Sequence, residues 1–153
     1  MRNPDLWARL QNFAFDDPDA AFPFAARLAR DNGWPPGFAR RAVEEYRRFV
    51  YLAMVGGREA TPSDEVDQVW HLHLTYTRHY WGPFAEALGV PLHHGPTKGG
   101  AAERERFCDA YAATLALYAE EFGAPPPRDL WPAPKHRFAD APNMRRINAA
   151  RHF

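Results

Sequence analysis

The chain has 153 residues, 46% of them apolar, which suits one domain with a single core of ordinary size and leaves too little for a second. Lys plus Arg and Asp plus Glu both number 19, so no net field draws the protein toward nucleic acid or an anionic membrane, and both are excluded as general partners. The single cysteine, Cys108, excludes an internal disulfide, while the absence of a secretory signal and of any apolar run near the ~20 residues of a membrane span makes the cytoplasm the expected location.

Helix signals recur along the chain and strand signals are nearly absent. In "NPDLWARLQNF" Asn3 is placed to cap and Pro4 to begin a helix, with Leu6, Trp7, Leu10 and Phe13 as its apolar stripe. A second helix is expected over 22–32, closing on Gly33. The third carries Phe38, Ala42, Tyr46, Phe49 and Ala53 on one side, with Val43, Val50 and Met54 beside them, and stops at Gly56-Gly57. Thr61 or Ser63 caps the fourth, Pro62 fits its first turn, and Asp64, Glu65 and Asp67 favour its positive end. It is expected to run to about Trp81, where Gly82-Pro83 breaks the pattern. After a short turn, "PFAEAL", comes the irregular loop "GVPLHHGPTKGG", and then a last long helix over about 102–122 with Phe107, Tyr111, Leu115, Tyr118 and Phe122 at helical spacing. The segment after Gly123 reads as irregular because of its prolines, and 141–153 as a tail, disordered or a short helix. The expectation is an all-α, single-domain bundle of about five helices over 1–140, with a Gly/Pro-rich loop before the last long helix.

The chemistry concentrates in "DEVDQVWHLHLTYTRHYW", residues 64–81. At about 100° per residue, Val66, Val69, Trp70, His73, Thr77 and Tyr80 share the core face, while Asp67 and His71 lie one turn apart on the adjoining face, where two side chains can reach one ligand. On a helix the two histidines of the HxH point nearly opposite ways, so a metal centre must recruit donors from elsewhere. His93 and His94 in the following loop are the natural donors. Asp67, His71 and one or both of His93 and His94 form a mixed carboxylate and imidazole set suited to zinc, iron or manganese, with a position left for water or substrate. His73 reads as a core histidine whose ring nitrogens satisfy a backbone carbonyl or a tyrosine hydroxyl. Trp70, Tyr76, Tyr80 and Trp81 read as packing residues, with Tyr76 also able to hydrogen-bond at a site edge, and His79 reads as a surface residue.

Other chemistry is less well supported. Lys98 and the glycines around it can attract an anion, a carboxylate or phosphate substrate beside the metal, but the loop lacks the order of a P-loop. Nothing marks Cys108 as an activated thiolate. The only serine, Ser63, is explained by helix capping. Glu44-Glu45 and Glu120-Glu121 read as solvated helix faces, and the basic clusters are interrupted by acids or lie in the tail, which disfavours nucleic-acid binding.

"PSDEVDQVWHLHLTYTRHYW" followed by "PLHHGP" resembles a region of the plant glycine-rich domain-containing proteins and a set of small bacterial relatives. Their pattern is Asp-x-x-Trp-His-x-His, then a Tyr, then a Leu-His loop, and the similarity runs over about 40–122. Asp67, Trp70, His71, His73, Tyr80, Leu92 and His93 or His94 have counterparts in it. The resemblance implies an all-helical domain and no settled activity. The plant pattern tends to carry a cysteine shortly after the Tyr, whereas Trp81 to Phe84 contain none, so no Cys-assisted site is implied here.

Two functional expectations follow. In the first, Asp67, His71 and His93 or His94 hold a divalent ion that activates water or orients a small anionic substrate, with His73 or Tyr76 as candidate catalytic groups and Trp70 and Tyr80 as structural supports. In the second, the motif is a non-enzymatic clamp between helix and loop, and the Trp and Pro residues of "PPPRDLWPAPKHRF" dock on a protein partner.

Overall fold

The structure, a computed structural model, describes residues 1–16, 19–57, 60–94 and 100–134. Five helices of nine or more residues are present among them: α1 (Pro4–Asn12), α2 (Phe24–Asn32), α3 (Pro36–Gly56), α4 (Asp64–Thr75) and, after the short α5 (Thr77–His79), a π turn (Tyr80–Phe84) and α6 (Ala85–Leu88), the long α7 (Ala101–Phe122). No strand occurs among the described residues. The all-α bundle therefore has the helix content its periodicity predicts.

Local chemistry sets the helix ends. Asn3 Oδ1 accepts the Leu6 N–H at 3.1 Å and Pro4 opens α1. Ser63 Oγ accepts the Val66 N–H at 3.1 Å and donates to the Leu130 carbonyl at 2.6 Å, so one hydroxyl caps α4 and ties down the chain that follows α7. Gly33 and Gly123 close α2 and α7 in the left-handed region, at φ 68° and 73°.

The central helix is α3, which packs on α1, α2, α4 and α7. Tyr46, Phe49, Val50, Tyr51 and Leu52 on it are fully buried, and removing such apolar side chains from water stabilises by about 1.5–3 kcal/mol each. At Gly56 its backbone runs so close to α7 that an added Cβ would meet Leu117 Cδ2 at 2.5 Å.

The helix expected over residues 62–81 is interrupted earlier than its sequence suggests. It ends at Thr75, whose hydroxyl donates to the Leu72 carbonyl at 2.6 Å, and the Tyr76 N–H turns back to the His73 carbonyl at 2.9 Å. Such local bonds offer the backbone an alternative to the helical ladder. Gly82-Pro83 does not break the chain: both lie within the π turn, where the wider coil accommodates a proline that an α-helix would exclude.

Three further expectations are corrected. Glu45 is buried and accepts from Tyr118 Oη (2.8 Å), Trp131 Nε1 (3.0 Å) and Arg48 Nη1 (2.9 Å). Glu121 is also buried and accepts from Tyr51 Oη (2.8 Å) and the Arg2 N–H (2.9 Å). Burial alone would raise the Glu121 pKa, but these bonds outweigh it and hold the carboxyl below its usual range. Neither acid belongs to a solvated face. Trp131, expected as an exposed docking residue, is 1% exposed beside Phe49, Tyr111 and Tyr118. Among the described residues no helix is long and apolar enough to cross a membrane. The expectation for the 141–153 tail lies outside the described residues.

Candidate metal centre

The site is assembled by one helix and the loop that returns over it. On α4, Asp67 and His71 stand at i and i+4, and His71 Nε2 lies 3.2 Å from Asp67 Oδ2. Trp70, beside them, donates from Nε1 to Tyr80 Oη at 2.7 Å, and Tyr80 Oη donates to the Leu92 carbonyl at 2.5 Å. That relay fixes the loop two residues before His94, whose ring packs on Trp70 with centroids 4.2 Å apart. His94 Nε2 then reaches Asp67 Oδ1 at 2.9 Å and His71 Nε2 at 3.1 Å. Burial pushes the Tyr80 hydroxyl up to about 12 against the opposing hydrogen bond from Trp70, so it stays protonated and able to donate.

Asp67, His71 and His94 thus bring ligand atoms within 4.8 Å of one another, and all three side chains are half-buried. His94 Nε2 lies 2.9 Å from Asp67 Oδ1 and 3.1 Å from His71 Nε2, and His71 Nε2 lies 3.2 Å from the other carboxylate oxygen, Oδ2, each close to the ~3.3 Å separating donors that sit ~2.0–2.1 Å from one tetrahedral ion. The donor set and its spacing fit a divalent transition metal. With side-chain exposures of 21%, 37% and 22%, the group faces solvent on one side. Without an ion each imidazole can donate from Nε2 to one oxygen of Asp67, which leaves the two Nε2 atoms, 3.1 Å apart, as a donor–donor contact. An ion would take the Nε2 lone pairs, so each imidazole would carry its proton on Nδ1, and binding would weaken at a pH low enough to protonate the rings.

His73 faces the other way and is 1% exposed. Its Nδ1 lies 2.8 Å from Tyr46 Oη and its Nε2 2.9 Å from His79 Nδ1, while His79 Nε2 lies 3.0 Å from the Ala14 carbonyl. The carbonyl only accepts, so with both rings neutral every proton in the chain is set: His79 Nε2–H donates to Ala14, His73 Nε2–H to His79, and the Tyr46 hydroxyl to His73. Burial, helped by His79, pushes the His73 imidazole down to about 3. The hydroxyl partner expected of a core histidine is Tyr46. His79, expected at the surface, is half-buried between Phe13 and His73. Six residues apart, the two histidines share no face of a straight helix. The break at Tyr76 brings them together, and no sequence spacing announces it.

The remaining predicted residues lie apart from the triangle. His93 is exposed, its ring centroid 5.3 Å from that of Trp81. Tyr76 packs edge-on against Phe24 of α2, with centroids 5.2 Å apart. Lys98 lies outside the described residues.

Comparison with known proteins gives two distant similarities. The chain is 26% identical over 117 residues to glycine-rich domain-containing protein 2 of Arabidopsis thaliana, covering 72% of this chain and 14% of that protein. It is 26% identical over 106 residues to glycine-rich domain-containing protein 1 of the same plant, covering 66% of this chain and 13% of that protein. The chain therefore spans about a seventh of the length of the curated relatives it matches. No family model matches it. No solved structure matches it. What the comparisons show is a distant similarity to the plant glycine-rich domain-containing proteins.

Proposed function

We propose that the protein binds one divalent metal ion, zinc, iron or manganese, through Asp67, His71 and His94, and presents it to a small anionic substrate. The observation that carries the reading is the convergence of one ligand atom from each of Asp67, His71 and His94 within 4.8 Å, two from α4 and one from the returning loop. When bound, such an ion supplies Lewis-acid activation of water or of a ligand oxygen. The chain's own residues do the rest. Tyr80 and Trp70 hold the loop so that His94 meets α4, and His73 and its partners fix the helix from behind.

A second reading rests on the same hydrogen bonds. The Trp70–Tyr80–Leu92 relay and the two imidazole-to-carboxylate bonds are complete with protons alone, as a purely structural clamp between helix and loop requires. Thermal unfolding of chelator-stripped protein separates the two. Metal binding predicts a melting temperature that rises with added zinc, iron(II) or manganese, and an Asp67→Asn variant that does not respond. Unchanged melting of the wild type with every ion supports the clamp.

A further inference from the structure

An open groove of about 450 Å³ runs between α2 and the end of α4, lined by Arg27, Asp31, Leu72, Thr75 and Tyr76. Its size lies in the range of small-molecule sites. Arg27 and Asp31 stand at i and i+4 on α2, a spacing at which opposite charges usually pair. Here the Asp31 ion pair goes to its neighbour Arg30, whose Nε and Nη2 lie 3.3 and 3.2 Å from Oδ1. The Arg27 guanidinium is instead stationed over the Phe22 ring, 5.2 Å from its centroid, and its Nε is buried with no hydrogen-bond partner. A buried donor on a charged group is costly to leave unpaired, and because Arg27 lines the groove, an acceptor there that draws the guanidinium round to it would remove that cost.

We propose that this groove binds a small zwitterion of the α-amino acid class, with its carboxylate on Arg27 and its ammonium on Asp31. A simple carboxylate satisfies Arg27 but meets the like charge of Asp31, which the 56%-exposed Arg30 offsets only in part through Oδ1. An amine alone leaves Arg27 as it is. A molecule carrying both charges complements both residues, and Leu72 offers its side chain an apolar wall. The groove shares no residue with the metal triangle and needs no metal.

Calorimetric titration of the metal-stripped full chain tests this, with L-leucine set against 4-methylpentanoate, which lacks the ammonium, and 3-methylbutylamine, which lacks the carboxylate. Leucine is expected to bind at least roughly tenfold more tightly than either analogue. Arg27→Gln should weaken leucine by a similar factor, and Asp31→Asn should erase its advantage over 4-methylpentanoate. A His71→Ala chain should bind leucine unchanged, which keeps this outcome separate from the metal reading. Circular dichroism of Arg27→Gln and Asp31→Asn checks that both fold. Failure of alanine, leucine, phenylalanine, glutamate and lysine all to bind the wild type at about 10 mM overturns the proposal, as does 4-methylpentanoate binding as tightly as leucine.

Discussion

His71 and His73 stand two residues apart on α4 and face opposite sides of it. The His71 side chain is 37% exposed and converges with Asp67 and His94 on a point open to solvent. His73 is sealed in the core between Tyr46 and His79, each ring nitrogen holding one partner. The difference lies in what surrounds each ring. Burial with neutral partners keeps His73 uncharged and fixed in one tautomer, whereas half-burial beside a carboxylate leaves His71 with a site that protons or a metal ion can fill. One dipeptide step therefore separates a structural histidine from a candidate ligand.

The sharpest way to break that contrast is His73→Ala. It leaves a cavity and strands the Tyr46 hydroxyl and the His79 ring, so a loss of about 3–5 kcal/mol is expected in urea unfolding. A loss below about 1 kcal/mol would remove the structural role. The same residue should leave a signature in pH. Its folded pKa, about 3, lies below the ordinary 6.5, so between those values the unfolded chain binds the extra proton. His73 therefore contributes its full stability above about pH 6.5 and loses it as pH falls toward 3, at up to about 1.4 kcal/mol per pH unit. Unfolding of wild type and His73→Gln across that window should show a slope the variant lacks, over and above the titration of carboxylates common to both.

Tyr80→Phe probes the link between the two faces. It removes the hydroxyl joining Trp70 to Leu92, with an expected cost of about 1–2 kcal/mol and, through the loosened loop, a roughly 10–100-fold loss of metal affinity. Unaltered zinc affinity in a competition titration would show that His94 is positioned without the relay. The smallest effect on stability should come from His71→Ala in metal-free protein, about 0–1 kcal/mol, because it breaks only a half-exposed pair. A loss as large as that of His73→Ala would mean both histidines are structural.

Much of this contrast is legible in the sequence, since helical periodicity separates the two histidine faces and the Gly/Pro loop after α4 suggests a return. The caps at Asn3, Ser63, Gly33 and Gly123 are equally local and stand where the residue types place them. What was not legible depends on partners distant in the chain. Glu45 meets Trp131 across 86 positions and Glu121 meets Tyr51 across 70, and no helical spacing on either side shows that these acids are enclosed. The interruption at Tyr76 and the π turn through Gly82-Pro83 arise from competition between local hydrogen bonds and packing, and they bring His79 to His73. His93 and His94 could not be distinguished by composition. The anchor at Leu92 turns His94 inward against Trp70 and leaves His93 against Trp81.

Metal content by inductively coupled plasma mass spectrometry tests the central claim most directly, on protein purified without a polyhistidine tag and on its His71→Ala, His94→Ala and His93→Ala variants. Near-stoichiometric metal in the wild type and in His93→Ala, lost in His71→Ala and His94→Ala, is the predicted result. Folded wild type that carries no metal and takes up none when zinc, iron(II) or manganese is added would contradict it.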